Sequence, residues 1–453
     1  MLRRITFTKD NWISNKYLQR GYATGSNHGM DEVLELYKKS ELLGDYSFTY
    51  AKILAQIDVT KITDLGIAAG TSVGYRLKIF DVTHGDELPY SYDIDMHPLV
   101  SQSWDEGRGI DEESHDDGYS NWLSASSVST WNTSGAFHEY SSSLSSSYHF
   151  DYGWEDIDTD FTEPISYWLS GNTNYGFIAK LPTTYEDNDN EYWRKSFYSR
   201  HAKNVAKRPY VQVAYDDSYF DDRDNMYYDE TGNLYMYRVI NGALKDFDTD
   251  VVDNVYVKIQ DTVYPGSATY EAHFTSSYST TGTYYTSFNV SSTGSHSGSV
   301  WHDIWYSGST VFYSGTFTLS SPQTSSGSVV NNMIASVANL RAVYNENDKA
   351  KIRVTLEDNS NYRDRVLSAS YMSNQIFSQQ LYWGVKEDYT NEVIVPFNTG
   401  TFKGTRLAYD AQGHNTTIYM DNFVKGHLYR LVLYLEHNGE QRVLDKGWRF
   451  KVV

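Results

Sequence analysis

Apolar and polar residues alternate along this chain with a period of two, not the three-to-four spacing of a helix. Tyr75-Arg76-Leu77-Lys78-Ile79-Phe80-Asp81-Val82, Tyr210-Val211-Gln212-Val213-Ala214-Tyr215, Val255-Tyr256-Val257-Lys258-Ile259 and Lys351-Ile352-Arg353-Val354-Thr355-Leu356 all follow it. Successive side chains of a strand point to opposite faces, so each run reads as a strand with one face in a core and the other in water. Turns rich in Gly, Asn, Asp and Ser separate the runs at short intervals, the rhythm of β-sandwiches. Helical spacing is scarce. Met30 to Ser40 alone invites a helix, and its Val33, Leu34, Leu36 and Tyr37 fit a strand nearly as well. The predicted fold class is all-β.

A chain of 453 residues exceeds what one hydrophobic core usually supports. Two shifts in composition divide it. Asp216 to Asp224 is an acid-rich, turn-like segment after a strong strand, and Ser320-Ser321-Pro322-Gln323-Thr324-Ser325-Ser326-Gly327-Ser328 reads as a flexible linker. Cuts near 222 and 328 predict three β-sandwich domains in series: 1–222, jelly-roll-like; 223–328, rich in Ser, Thr and Tyr and immunoglobulin-like; and 329–453, immunoglobulin-like. In the middle piece Tyr284, Phe288, Val290, Val300, Trp301, Ile304, Trp305, Val311, Phe312, Phe317 and Leu319 are placed to supply a buried face under polar outer faces. The last piece carries seven strand-like runs between Ala350 and Val452.

Charge and residue usage exclude several functions. The net charge of −20 argues against a nucleic-acid partner, whose phosphates are bound by Lys and Arg. With no Cys there is no disulfide framework, no thiolate nucleophile and no Cys-based zinc site. No run of about 18 apolar residues predicts a membrane span, and the residues after Met1 lack the apolar core of a signal peptide, so a soluble product of the cytoplasm is expected. An abundance of aromatic residues, 41 Tyr and 11 Trp, suits subunit interfaces.

The densest local pattern is Ser103-Trp104-Asp105-Glu106-Gly107-Arg108-Gly109-Ile110-Asp111, followed by Asp117-Gly118-Tyr119-Ser120-Asn121-Trp122. Aromatic rings stack on sugars, so Trp104, Tyr119, Trp122 and Trp131 are candidate carbohydrate-binding residues, with rim packing as the bland alternative. Oxygen-rich turns suit a hard cation such as Ca²⁺, and Asp216, Asp217, Asp221 and Asp222 are the candidate ligands, with Asp187-Asn188-Asp189-Asn190-Glu191 a second such run. No cofactor is otherwise expected. Basic residues cluster once, at Arg194, Lys195, Arg200, Lys207 and Arg208, a candidate interface toward acidic neighbours. No catalytic set emerges. Gly70-Thr71-Ser72-Val73-Gly74 has the spacing of a nucleophile elbow but precedes a strand rather than a helix. His302-Asp303 is an adjacent pair with no nucleophile, and no two carboxylates are singled out as a glycosidase pair.

Several marks occur in order: Asp10-Asn11-Trp12-Ile13, Ser26-Asn27-His28-Gly29, Ala51 to Asp58, Tyr75 to Val82, Trp104-Asp105-Glu106-Gly107, Asn121-Trp122 and Lys207-Arg208-Pro209-Tyr210-Val211-Gln212-Val213. Together they resemble the disaggregatase-related, DNRLRE-type β-sandwich, although the core strand ends Ile57-Asp58 where that pattern has Phe-Asp. With Leu234 to Gly242, Val311 to Phe317, Glu392 to Phe397, Thr405 to Asp410 and Gly426 to Tyr434, the chain is similar to virion structural proteins of large tailed bacteriophages. The resemblance implies a non-enzymatic virion component made in the host cytoplasm, in capsid decoration, neck, tail or baseplate. It would be a homo-oligomer or one of many copies in a symmetric assembly, partnered by other virion proteins, with no nucleic-acid or membrane contact. The alternative expectation is an adhesion module that binds host surface polysaccharide through the Trp104/Trp122 loop.

Overall fold

A computed structural model describes all residues except 19–20, 23, 42–46, 68–71, 84–90, 111–118, 249–253, 297–299, 322–332, 359–374 and 438. The protein is all-β with sandwich packing, and its strands group into sheets that span residues 2–214, 226–320 and 333–452. The cut predicted near 328 and the Gly70-Thr71 half of the elbow pattern lie outside the described residues.

One strand builds the first sandwich. Leu2–Ser14 pairs through Leu2 to Thr6 with Tyr210–Ala214 and through Phe7 to Ser14 with Ser47–Ile57, and its register shifts between Phe7 and Lys9. Such a bulge lets a single strand leave one sheet and enter the facing one, which is how sandwich corners are made. Its first half continues into Tyr210–Ala214, Gly74–Ile79 and Ile157–Asp160. Its second half continues into Ser47–Ile57, Phe177–Lys180, Tyr92–Pro98 and Ser146–Phe150, with Val33–Glu41 and Tyr192–Tyr198 completing that sheet. Ile5, Phe7, Trp12, Leu34, Ile53, Leu77, Ile94, Phe177 and Val211 fill the space between.

The second sheet is covered on its outer side as well. Ile13, Leu54 and Ile178 pack there against Leu99, Trp104, Trp122, Ala125, Trp131 and Ala136 of the long connection after Tyr92–Pro98. Alternation therefore fails in the opening strand, where Asp10 to Ser14 are buried in succession.

The segment that invited a helix is the strand Val33–Glu41. A two-turn helix lies instead at Thr162–Leu169, where Phe161, Ile165 and Trp168 recur at helical spacing and are buried.

In the middle sandwich a five-stranded sheet faces Thr231–Tyr237, Thr283–Asn289 and Ser277–Thr280. Of its predicted core, Phe288, Val290, Trp301, Ile304, Trp305, Phe317 and Leu319 are buried and Tyr284 and Phe312 half-buried, whereas Val300 and Val311 face outward. The last sandwich sets Met333–Ala338, Lys349–Asp358, Gly413–Tyr419 and Ala408–Asp410 against a sheet centred on Leu428–His437 and Leu381–Glu387. Its core contains Ile352, Leu356, Trp383, Leu431 and, from the opening strand, Leu2.

The first and last sandwiches are clasped together. Arg3 Nη2 donates to Asp421 Oδ2 at 2.7 Å and the Arg4 backbone N–H to Asn422 Oδ1 at 2.7 Å. Phe220 forms a β-bridge with Tyr409, and Tyr409 OH donates to Asp222 Oδ1 at 2.6 Å. The acid-rich segment predicted as a turn-like boundary is thus docked on the last sandwich.

Candidate functional site

The motifs Asp10-Asn11-Trp12, Asn27-His28-Gly29 and Glu106-Gly107-Arg108-Gly109 are far apart in sequence and meet at one place. The Asn27 side chain is the hub. Its Nδ2 donates to the Glu106 and Ser120 carbonyls, both at 2.8 Å, and its Oδ1 accepts from Gly109 N–H at 2.9 Å. Asn11 Nδ2 donates to Ser120 O at 2.9 Å and its Oδ1 accepts from His28 N–H at 3.1 Å. His28 stacks on Trp12, ring centroids 3.7 Å apart. Glycine is required by these contacts: a Cβ on Gly109 would lie 1.7 Å from the Asn27 carbonyl oxygen, and Gly107 has φ +88°.

Beside this hub sits a charged knot. Arg200 grips Glu106 with two hydrogen bonds, Asp10 Oδ2 accepts from Arg200 N–H at 2.6 Å, and Asp10 N–H donates to Glu106 Oε1 at 2.8 Å. Burial pushes the Asp10 carboxyl up to about 7, helped by the Glu106 charge and opposed by Arg200 and His201. Burial also acts to raise Glu106, but the nearby His201, 3.7 Å away, and bonds from Arg200 and the Asp10 N–H outweigh it and hold that carboxyl below its ordinary value. Asp10, Glu106 and His201 each offer a ligand atom within 4.8 Å of the others, the one such group among the described residues. It is the place where a hard cation would be held, against competition from the Arg200 guanidinium, which already occupies both Glu106 oxygens.

The predicted sugar-stacking residues are elsewhere engaged. Trp104, Trp122 and Trp131 are only 1%, 6% and 4% exposed. Trp104 Nε1 donates to Tyr175 O at 3.0 Å and Trp131 Nε1 to Asn121 O at 2.8 Å, while Trp122 stacks on Tyr50. Their faces form the outer apolar layer and are not offered to a ligand; Tyr119 is half-buried beside them. Under the same layer lie Lys52, Lys180 and Glu186, all buried. Glu186 is 3.4 Å from Lys52 and 3.1 Å from Lys180. Burial lowers the Lys52 ammonium to about 8, with Glu186 opposing, and its Nζ lies 3.2 Å from the Phe137 ring centroid. Sequence reading passed over these residues and Asp10; the available signal was a charged residue inside an apolar run, as in Ala51-Lys52-Ile53-Leu54.

The predicted calcium ligands do not converge. Asp216 accepts from Arg406 at 2.5 Å, Asp217 pairs with the Met1 amine, Asp222 accepts from Tyr409 and Asn233, and Asp221 is buried with its carboxyl pushed up to about 7 chiefly by burial. The basic cluster is not a free patch either. Arg194 pairs with Glu35, Lys195 with Asp81, Arg200 with Glu106 and Lys207 with Asp156, while Arg208 donates to the Ala202 carbonyl. Strand alternation separates His302 from Asp303, which is buried and bound by Arg223 Nη1 at 2.7 Å and Nη2 at 2.9 Å. A cleft of about 420 Å³ between the first and last sandwiches is lined by Arg4, Arg200, Arg208, Glu387, Glu392 and His427 among others, a wall of mixed sign.

No family model matches the chain, and no curated protein matches it. Among solved structures it is similar to the adhesin InvE of Yersinia pseudotuberculosis at 8% identity and TM-score 0.18, over 51% of this chain and 55% of that one. It is also similar to trypsin-activated alpha-2-macroglobulin of Escherichia coli at 10% identity and TM-score 0.16, over 93% of this chain and 24% of that one. A DUF4785 family protein of Legionella pneumophila matches at 12% identity and TM-score 0.16, over 93% and 88% of the two chains. The chain thus spans about half the adhesin and a quarter of the macroglobulin.

Proposed function

We propose that this protein is a non-enzymatic structural component of a tailed-phage virion that works by subunit–subunit assembly. The observation that carries the reading is an apolar patch at one end of the middle sandwich. Val239 and Leu244 face each other across a short hairpin and are 58% and 44% exposed. Arg238 N–H donates to Gly282 O, and Asp246 accepts from Gly282 N–H at 2.6 Å and from Tyr278 OH, which brings Tyr278, 57% exposed, to the same end. Clustered aliphatic and aromatic side chains in a chain of strong negative charge suit burial against a neighbouring subunit. The internal pairing of Arg194, Lys195, Arg200 and Lys207 supports the same view, because it leaves that cluster less able to hold an acidic neighbour and favours association through apolar contact.

Purified particles are expected to contain the protein at a fixed copy number. A protein that stays monomeric at high concentration and binds a polysaccharide array would instead favour the adhesion reading, which would have to use rings other than Trp104, Trp122 and Trp131.

A further inference from the structure

Of the buried ion pairs, one has the setting of a covalent bond waiting to form. Lys195 lies in the strand Tyr192–Tyr198 of one sheet of the first sandwich, and Asp81 follows Gly74–Ile79 of the other. Asp81 bridges Phe197, with Val82 N–H donating to Ser196 O and Tyr198 N–H to Phe80 O, both at 2.9 Å, so the two backbones are fixed side by side. Lys195 Nζ is 2.5 Å from Asp81 Oδ1, and the two side chains are 1% and 8% exposed. The ammonium lies 4.8 Å from the Phe150 ring centroid and 5.4 Å from that of Phe197. Nearby, Tyr92 OH and one oxygen of Glu155, Oε2, are buried without a hydrogen bond, and Lys195 Nζ also donates to the Gly153 carbonyl at 2.7 Å and lies 3.5 Å from the Glu155 carbonyl. In water a lysine and an aspartate stay ionised and do not condense. In a dry aromatic setting the charged forms lose their hydration, and proton transfer to amine and carboxylic acid becomes accessible. Burial accordingly lowers the Lys195 ammonium, with Asp81 opposing.

We propose that Lys195 and Asp81 join in an intramolecular isopeptide bond that staples the two sheets of the first sandwich. The proton on Lys195 Nζ passes to the Asp81 carboxylate. The amine lone pair then forms the N–C bond to Asp81 Cγ, the C–O bond breaks, and the departing hydroxyl leaves as water with the proton that the nitrogen sheds. One amine and one carboxylic acid become one amide and one water, with no oxidant, reductant or added reagent. The other buried lysines lack this arrangement, since Lys52 and Lys180 share the single carboxylate of Glu186 at longer range and Lys38 donates to the Tyr185 and Asn188 carbonyls rather than to a carboxylate.

Intact-mass spectrometry of the full chain tests this. The wild-type protein is expected to be one water lighter than its sequence mass, and digestion is expected to release a branched peptide joining the Lys195 and Asp81 segments. The K195R chain should fold, by circular dichroism, and show the full sequence mass. A D81N chain should lose ammonia instead of water and converge on the wild-type mass, because the amide formed is the same. A wild-type chain at its full sequence mass, or a deficit that survives K195R, would overturn the proposal.

Discussion

Arg200 holds Glu106 by two parallel hydrogen bonds, Nε to Oε1 at 2.5 Å and Nη2 to Oε2 at 2.6 Å, and so ties the loop that carries Trp104 to the segment before Tyr210–Ala214. A lysine cannot reproduce the fork. R200K and R200A are both expected to destabilise the protein, R200A by about 2 kcal/mol for charge-assisted bonds in a partly buried site. Urea midpoints measure the cost, and faster proteolysis between residues 103 and 122 would locate it.

Gly109→Ala is expected to be among the most damaging small substitutions, because its Cβ would fall on the Asn27 carbonyl. The backbone would have to move, at about 3 kcal/mol. Gly439, where a Cβ meets nothing within 4 Å but φ is +78°, should cost less, about 1 kcal/mol for a left-handed residue. If the two alanine variants unfold at the same urea concentration, the Asn27 hub is looser than described.

Lys52 and Glu186 should respond in opposite directions. Replacing Lys52 by Met leaves Lys180 and Glu186 as a balanced pair and removes a desolvated charge, so stability should be unchanged or rise by about 1 kcal/mol. E186Q strands two buried ammonium groups and should cost about 3 kcal/mol. Thermal or chemical denaturation of both variants at neutral pH reads the sign directly.

Burial lowers the His414 imidazole from 6.5 to about 4, against the raising influence of its contact with the Ser378 carbonyl and of the Asp410 charge. Its folded value lies below its unfolded one, so in this window the unfolded chain takes up a proton that the folded chain refuses. The contribution is fully present above pH 6.5 and is lost as pH falls toward 4, by about 3 kcal/mol in all. H414Q should flatten the acid limb of stability against pH; an unchanged limb would refute the assignment.

Val239→Asp places charge on the exposed end of the middle sandwich, at a side chain that is mostly in solvent. Folding should change by less than about 0.5 kcal/mol. Incorporation into particles should fall sharply, as read by copy number per particle. Retained incorporation would move the interface elsewhere.

Strands were legible where only one face is buried: Leu77, Ile79, Val257, Ile259, Ile352 and Val354 are buried and alternate with half-buried or exposed neighbours. Legibility ended where a second layer covers a sheet. Asp10 and Asn11 look solvated by type, yet Glu106 and Ser120 of the Trp104 loop cover them, and no local pattern announces a cover contributed about a hundred residues later. The same long range hid the role of the tryptophans, whose spacing shows aromatic surface but not which way it faces. Charge clusters misled for a related reason: Arg200 and Lys195 adjoin other cations in sequence, while their carboxylates, Glu106 and Asp81, come from distant turns.

The opening strand has a consequence for the order in which the chain assembles. Leu2 packs in the last core, and Arg3 and Arg4 bind Asp421 and Asn422 across a separation of 418 residues. During synthesis, residues 2 to 4 must wait for residues near 420 before these contacts close, and loop-closure entropy makes such distant pairings slow. The clasp is thus a late checkpoint: only a chain made through the last sandwich completes both terminal units.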